Sequence, residues 1–404
     1  MRPTTPLWSA PLRLLLAAGV LGGLRLRYRF FVYGRLPRRR GSTLVVANHQ
    51  HDLESVVLPA LILLGGPWRD PVVAVASQRL FERGFLTSRV PRPILGRLVQ
   101  NWSLAGLLTL VGALPLENEP RSRSLSSLAQ EVAARHGNLA AESVFTPGVL
   151  AALTAGGPTG ALRLADLWGP GFARAARRPV PLSGMREPYR EEVRRDVRPR
   201  IDAQFRRIEA ALAGGGTVYL TPEGHVTRDG RLGRLHAALD RLLPLAGSVV
   251  LAAVNFDPFL DRRLTLRCRL VPLEGPGALE DRLRAARPVC TSQLLARWLE
   301  TRAPDGGFDA AQALSGVERE LVALPGGVVT APGLSDPKAR RALVGRALGT
   351  MARLGYLRGD AGTYTRTSLR FDRRLHEPAD IFAHQCAVLE ETAAAAERLA
   401  SARA

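Results

Sequence analysis

Lysine is almost missing from this chain. Lys338 stands alone among 56 basic residues, so a formal charge of +20 and a pI near 11.3 rest on arginine. That bias reflects a GC-rich coding sequence more than a binding specialisation, and the charge suits either nucleic acid or an anionic leaflet. Cysteine is scarce too. Cys268, Cys290 and Cys386 are odd in number and widely spaced, which excludes a disulfide framework or a zinc site and matches a reducing compartment. His376, His384 and Cys386 have no metal-ligand spacing and read as ordinary helix residues. Acidic residues are absent before position 41. A long uninterrupted apolar run is missing as well: Leu7 to Leu24 would rise ~27 Å as a helix, short of a bilayer core, and Pro11 and Arg13 shorten its apolar part. No small-residue cleavage site follows Leu24, so export is not expected.

What stands around that segment is informative. Arg25, Arg27, Arg29, Arg35 and Arg38 interleave with Tyr28, Phe30, Phe31 and Tyr33, the mixture selected at a membrane interface. The segment is therefore expected to lie in the interface rather than span it, with the body of the protein on the cytoplasmic side. Strand candidates at Thr43–Ala47, Val72–Ala76, Leu110–Leu116, Thr217–Leu220, Val249–Asn255 and Leu264–Val271 alternate with helical stretches. One such stretch, Arg200 to Ala213, aligns Ile201, Phe205, Ile208 and Leu212 on one face, and Gly214, Gly215 and Gly216 end it. The fold class expected is α/β, a layered mixed sheet flanked by helices, with an N-terminal membrane-interface helix and a mostly helical C-terminal domain. Three regions follow: an anchor segment at 1–40, a main domain at 41–290 with an insertion at about 121–198, and an accessory domain at 291–404. The insertion, Gly/Pro/Ala-rich and then charged, reads as a lid, a second membrane-touching surface or a passive loop.

Two blocks carry chemistry. Val45-Val46-Ala47-Asn48-His49 ends a strand, and Glu54 falls five positions after His49, in the first turn of the next helix. There the helix dipole favours a carboxylate, which can hold the imidazole in one tautomer and leave its other nitrogen to take a proton from an alcohol. A histidine at a strand end also serves as a plain structural hydrogen-bonder. Far along the chain, Tyr219-Leu220-Thr221-Pro222-Glu223-Gly224 reads as a strand and a sharp turn, and Gly224 is where a backbone can approach an anionic group closely.

In this order the blocks resemble the glycerolipid acyltransferase family, the type that makes phosphatidic acid. Its first block is Asn-His, four arbitrary residues, then Asp, for which this chain has Glu54, one methylene longer. Another of its blocks is Phe-Pro-Glu-Gly-Thr-Arg-Ser, of which Pro222, Glu223 and Gly224 match, while Val226 stands in the arginine's place and Arg228 lies two residues late. The resemblance covers roughly Gly41 to Pro288. It implies transfer of a fatty acyl group from an acyl thioester, acyl-CoA or acyl carrier protein, to the hydroxyl of a lysophosphatidate or glycerol phosphate in phospholipid biosynthesis. By the same resemblance His49 is the general base, Glu54 its orienter, and Glu223, Gly224 and Arg228 hold the acceptor. The family's usual phosphate-gripping Arg is replaced by Asn118, so Arg121 and Arg123 are candidates to assist, or belong to a solvated charged loop. No metal and no cofactor beyond the thioester are implied.

The expected setting is the cytoplasmic face of the membrane, with an anionic surface as partner and nucleic acid not expected. Two alternatives remain open. One is the same fold acylating an amino-lipid or glycolipid. The other is a non-catalytic lipid- or DNA-binding descendant, because the basic stretch Ala339 to Leu354 followed by a hairpin around Gly359 to Gly362 is also how winged-helix DNA readers are built.

Overall fold

A computed structural model describes residues 9–36, 41–51, 53–66, 72–85, 87, 93–117, 122–154, 162–172, 175–224, 226–275, 277–303, 307–360, 362–372, 374 and 380–402. The chain divides into two compact units. Met1–Val72 and Ala211–Ala404 form one, and Val73–Ala210 forms the other. The first stretch holds α1 (Ser9–Arg25), β1 (Tyr28–Tyr33), β2 (Thr43–Ala47) and α2 (Glu54–Gly65). The middle stretch holds β3 (Val72–Ser77), α3 (Pro93–Val99), α4 (Ala105–Leu110), β4 (Ala113–Leu116), β5 (Ser122–Ser124), α5 (Leu125–His136), α6 (Ala141–Val144), α7 (Pro147–Thr154), β6 (Pro179–Pro181) and α8 (Tyr189–Ala213). The last begins with β7 (Thr217–Leu220), α9 (Ala238–Leu242), β8 (Ser248–Asp257), β9 (Leu264–Pro272) and α10 (Leu279–Ala285). It continues with α11 (Thr291–Thr301), β10 (Phe308–Asp309), α12 (Ala310–Val322), α13 (Pro337–Leu354), β11 (Leu357–Asp360), β12 (Thr363–Arg366) and α14 (Ile381–Ser401).

The protein is α/β, with a mixed sheet of seven strands flanked by helices. In the first unit the strands run β1-β9-β8-β2-β7. Only β8 and β9 pair antiparallel; β1 with β9, β8 with β2, and β2 with β7 are parallel. A parallel strand covered on both faces needs a continuous apolar run, not alternation, and Leu44, Val45, Val46 and Ala47 on β2 are all fully buried. The second unit contributes the parallel pair β3 and β4.

Strand β1 was not among the strand candidates of the sequence, which read its aromatics and arginines as an interface flank. It pairs with β9, where Arg267 donates to the Tyr33 hydroxyl and stacks 5.2 Å from the Phe31 ring centroid. The stretch expected as strand from Leu110 is helical as far as Leu110; Gly112, at φ +88°, turns the chain and β4 starts at Ala113. Among the described residues no helix is long and apolar enough to cross a membrane.

The span expected as an insertion falls within the second unit and has a core of its own. Leu128, Val144, Phe145, Leu164, Leu167 and Val193 are fully buried together. Beside it lies an ion network: Arg123 pairs with Glu117 at 2.5 Å and with Glu131, and Arg200 reaches Glu117 at 3.0 Å and Glu131 at 3.1 Å. Against the cost of burial, these guanidiniums hold the Glu131 carboxyl below its usual range. The segment expected as an accessory domain shares the first unit, and its last helix, α14, packs on α10 and α11. Within it α13 is followed by the hairpin β11–β12, and β10 adds to the hairpin as a third strand in the order β10-β12-β11.

Truncating Leu128 to Ala should cost about 2–5 kcal/mol, the range for a buried leucine whose site collapses only partly. Hydrogen exchange should show the lost protection spread over residues 125–197. A loss confined to α5 would mean that this region does not fold around one core.

Candidate functional site

Strands β2 and β7 bring the two motif blocks together because they are parallel neighbours in fixed register. Val46 pairs with Leu220, so His49 and Glu223 each follow three residues beyond that pair, at the carboxyl ends where open α/β sheets bind ligands. Asn48 fixes the way the chain leaves the strand. Its side chain donates to the Val254 carbonyl at 2.9 Å and accepts the Val254 amide at 2.6 Å, continuing the ladder to β8 with side-chain atoms.

Glu54 opens α2 and is fully buried. One oxygen, Oε1, accepts the amides of Gln50 and His51, each at 2.9 Å, and meets His49 Nδ1 at 2.7 Å. Facing a carboxylate already gripped by two N–H donors at a helix N-terminus, the ring nitrogen is the donor in this contact. The lone pair then resides on Nε2, and an imidazole held this way can accept a proton from a hydroxyl. The extra methylene of glutamate is accommodated because the carboxylate folds back over its own helix end. His51, two residues on, is engaged differently: Nδ1 accepts the Leu53 amide at 3.0 Å and Nε2 donates to the Arg374 carbonyl at 3.2 Å. Both its nitrogens serve the fold.

Glu223 lies behind His49. Its Oε1 accepts the His49 backbone amide at 2.5 Å and its Oε2 accepts the Gly233 amide at 2.6 Å. Burial pushes its pKa up to about 7, against the opposing pull of those two amides, His49 and the Arg287 cation. The resemblance assigns this glutamate to the acceptor; here both carboxylate oxygens hold backbone.

No family model and no curated protein matches this chain.

The loop after Glu223 is fastened from its far side. Gly224, at φ +71°, closes the turn and is exposed, and Arg228 is exposed further along. Gly230 then passes so close to α14 that a Cβ there would sit 2.5 Å from His384 Nε2. Its carbonyl accepts Gln50 Nε2 at 3.2 Å and Arg287 Nη1 at 3.3 Å. Arg287 is itself fully buried and ion-paired with Glu391, which also accepts the Leu232 amide and Arg284 Nε, each at 2.9 Å. Burial pushes the Arg287 pKa down and lowers that of His384 to about 4, which leaves the histidine neutral. Among the described residues no group of three or more His, Cys, Asp or Glu side chains could hold a metal ion.

Of the residues singled out in the sequence, the fold thus gathers His49, Glu54 and Glu223, with Gly224 and Arg228 on the outer part of the same loop. Arg123 is elsewhere in its role: its guanidinium is committed to Glu117 and Glu131 inside the second unit, neither solvated nor offered to an anion. Arg121 lies outside the described residues. Sequence reasoning missed Gly233, Arg287, Glu391 and His384. The glycines at 230 and 233 carried a faint turn signal, but Glu390-Glu391 reads as an ordinary solvated helix charge.

Replacing Glu391 by Ala strands Arg287 as an uncompensated buried cation and should cost about 3–5 kcal/mol in urea denaturation, whereas Glu390→Ala should stay within about 0.5 kcal/mol. Glu223 adds a pH term. Its raised pKa means the native state retains a proton that the unfolded chain releases above about 4.5, so its contribution is full below that pH and is lost as pH rises through about 7. Glu223→Gln should therefore flatten the fall in stability between pH 5 and 8 by up to ~3 kcal/mol. An unchanged slope would place the titrating group elsewhere.

Proposed function

We propose that this protein is an O-acyltransferase of the glycerolipid type, acting at a lipid surface. The observation that carries the reading is the hydrogen bond from the His49 amide to Glu223, which ties a carboxylate-held imidazole to the Pro-Glu-Gly turn. In the proposed reaction His49 Nε2 takes the proton of the acceptor hydroxyl while its oxygen attacks the thioester carbonyl. A C–O bond forms and the C–S bond breaks. The proton held by His49 passes to the departing thiolate, so donor and acceptor balance without an acyl-enzyme. Glu54 keeps the ring oriented and stabilises the imidazolium as it forms.

The thiols support direct transfer. Burial pushes the Cys268 and Cys290 pKa values up and that of Cys386 to about 12, which removes the thiolate a nucleophile needs. Helix α1 supports attachment to the cytoplasmic face: Leu15 is 71% exposed, Leu26, one residue beyond the helix, is 84% exposed, and Arg25 ends the last turn.

Phosphate on the acceptor has thinner support, because Arg123 is committed to carboxylates and Val226 occupies the usual arginine's place. That observation favours a second reading, transfer to an unphosphorylated amino-lipid or glycolipid.

Acyl transfer in detergent or liposomes, with lyso-acceptors bearing and lacking phosphate, tests both. His49→Ala should lower kcat by about 10²–10⁴, the usual worth of a general base. Equal turnover by parent and variant would remove the proposed base. Turnover with unphosphorylated acceptors alone would select the second reading.

A further inference from the structure

Between Glu82 and Glu117 the chain has no acidic residue and four arginines, Arg83, Arg89, Arg92 and Arg97. Within that stretch the second unit turns large apolar side chains outward from α3, α4 and their connection. Ile94 is 77%, Leu98 68% and Trp102 64% exposed, and Leu95 and Leu107 are exposed with them. The inner contact of α3 is made instead by a small residue. Gly96 is pressed so near Pro170 that an added Cβ would lie 3.0 Å from its ring.

This is the reverse of the arrangement in which a helix buries its apolar stripe and exposes its polar one. Ile94 and Leu98 lie one turn apart on the same face of α3, Trp102 follows in the connection three residues beyond the helix, and Arg97 is exposed beside them. An apolar stripe with a tryptophan at its end and a cation at its flank is the composition of a surface that lies in the headgroup boundary. The lack of carboxylates over the whole stretch removes the repulsion that anionic headgroups would meet. Neither short helix is long enough to fill a partner's groove, and a bilayer demands no complementary shape.

We propose that α3 and α4 form a bilayer-docking surface, separate in sequence from the N-terminal segment, that inserts Ile94, Leu98 and Trp102 among the acyl chains of an anionic membrane. Arg97 lies at headgroup level. The proposal does not require the acyl-transfer reading, and its test needs no turnover.

The test uses the full chain with vesicles of phosphatidylglycerol and phosphatidylcholine, with pure phosphatidylcholine as the uncharged comparison. Cosedimentation of the parent is compared with that of the double variant Ile94→Glu, Leu98→Glu. Brominated lipids report the depth of Trp102, isolated by subtracting the signal of Trp102→Phe. The double variant should bind anionic vesicles at least tenfold more weakly at an unchanged melting temperature, since both side chains are exposed. The Trp102 signal should be quenched, and binding should weaken on uncharged vesicles. Unchanged partition of the double variant, or an unquenched Trp102, would overturn the proposal. So would a concentration-dependent dimer that the double variant dissolves, which would assign the patch to a second copy of the chain.

Discussion

A buried carboxylate that accepts backbone amides from two separate loops is the constraint on which the site depends. Glu223 takes the His49 amide on one oxygen and the Gly233 amide on the other. Both bonds are short, and the two together fix the histidine's main chain rather than its ring. Glu54 then fixes the ring. The imidazole is thereby oriented by two carboxylates, one through the backbone and one through Nδ1. The cost of holding Glu223 out of water is visible in its pKa near 7, where burial outweighs the donors arrayed around it.

The same logic recurs wherever this arginine-rich chain takes a cation inside. Arg287 meets Glu391, Arg267 meets Asp257, and Arg123 meets Glu117 and Glu131. Such pairs add little net stability over an apolar replacement, yet breaking one is costly, so they act as requirements on which segments must meet. Arg287 and Glu391 impose one between residues distant in sequence. They anchor the Glu223 loop to the last helix, which makes α14 a structural support of the site rather than an appendage. The 56 basic residues therefore overstate the cations available to partners, because many are paired internally, whereas the net charge of +20 already counts the paired carboxylates.

Local chemistry explains how much was legible beforehand. Buried parallel strands must be largely apolar, and β2, β7 and β8 were readable for that reason, while β9 was readable from its β-branched and apolar residues despite Arg267 and Arg269, all with ends within a residue or two. The His49 to Glu54 spacing was readable because the first turn of a helix places a carboxylate near the residues just before it, whatever the rest of the fold does. Strand β1 was not readable. It sits at a sheet edge, and Tyr28 to Tyr33 shows neither a buried apolar run nor strict alternation, so only its pairing with β9 reveals the strand. The partners of Arg123, Arg287 and Glu391 were equally hidden, since an ion pair across many residues leaves no periodicity.

By itself, then, the sequence determined most local elements: the buried apolar strands, the amphipathic helices, the main turns, and that an imidazole and a carboxylate share one strand-to-helix turn. Tertiary structure decided that Glu223 stands behind His49, that the last helix grips the intervening loop, and that Arg123 is committed to carboxylates. The physical reason is range. Backbone preference and side-chain periodicity act over a few residues, whereas burial of charge is settled by which distant segments are neighbours, and strand register sets that.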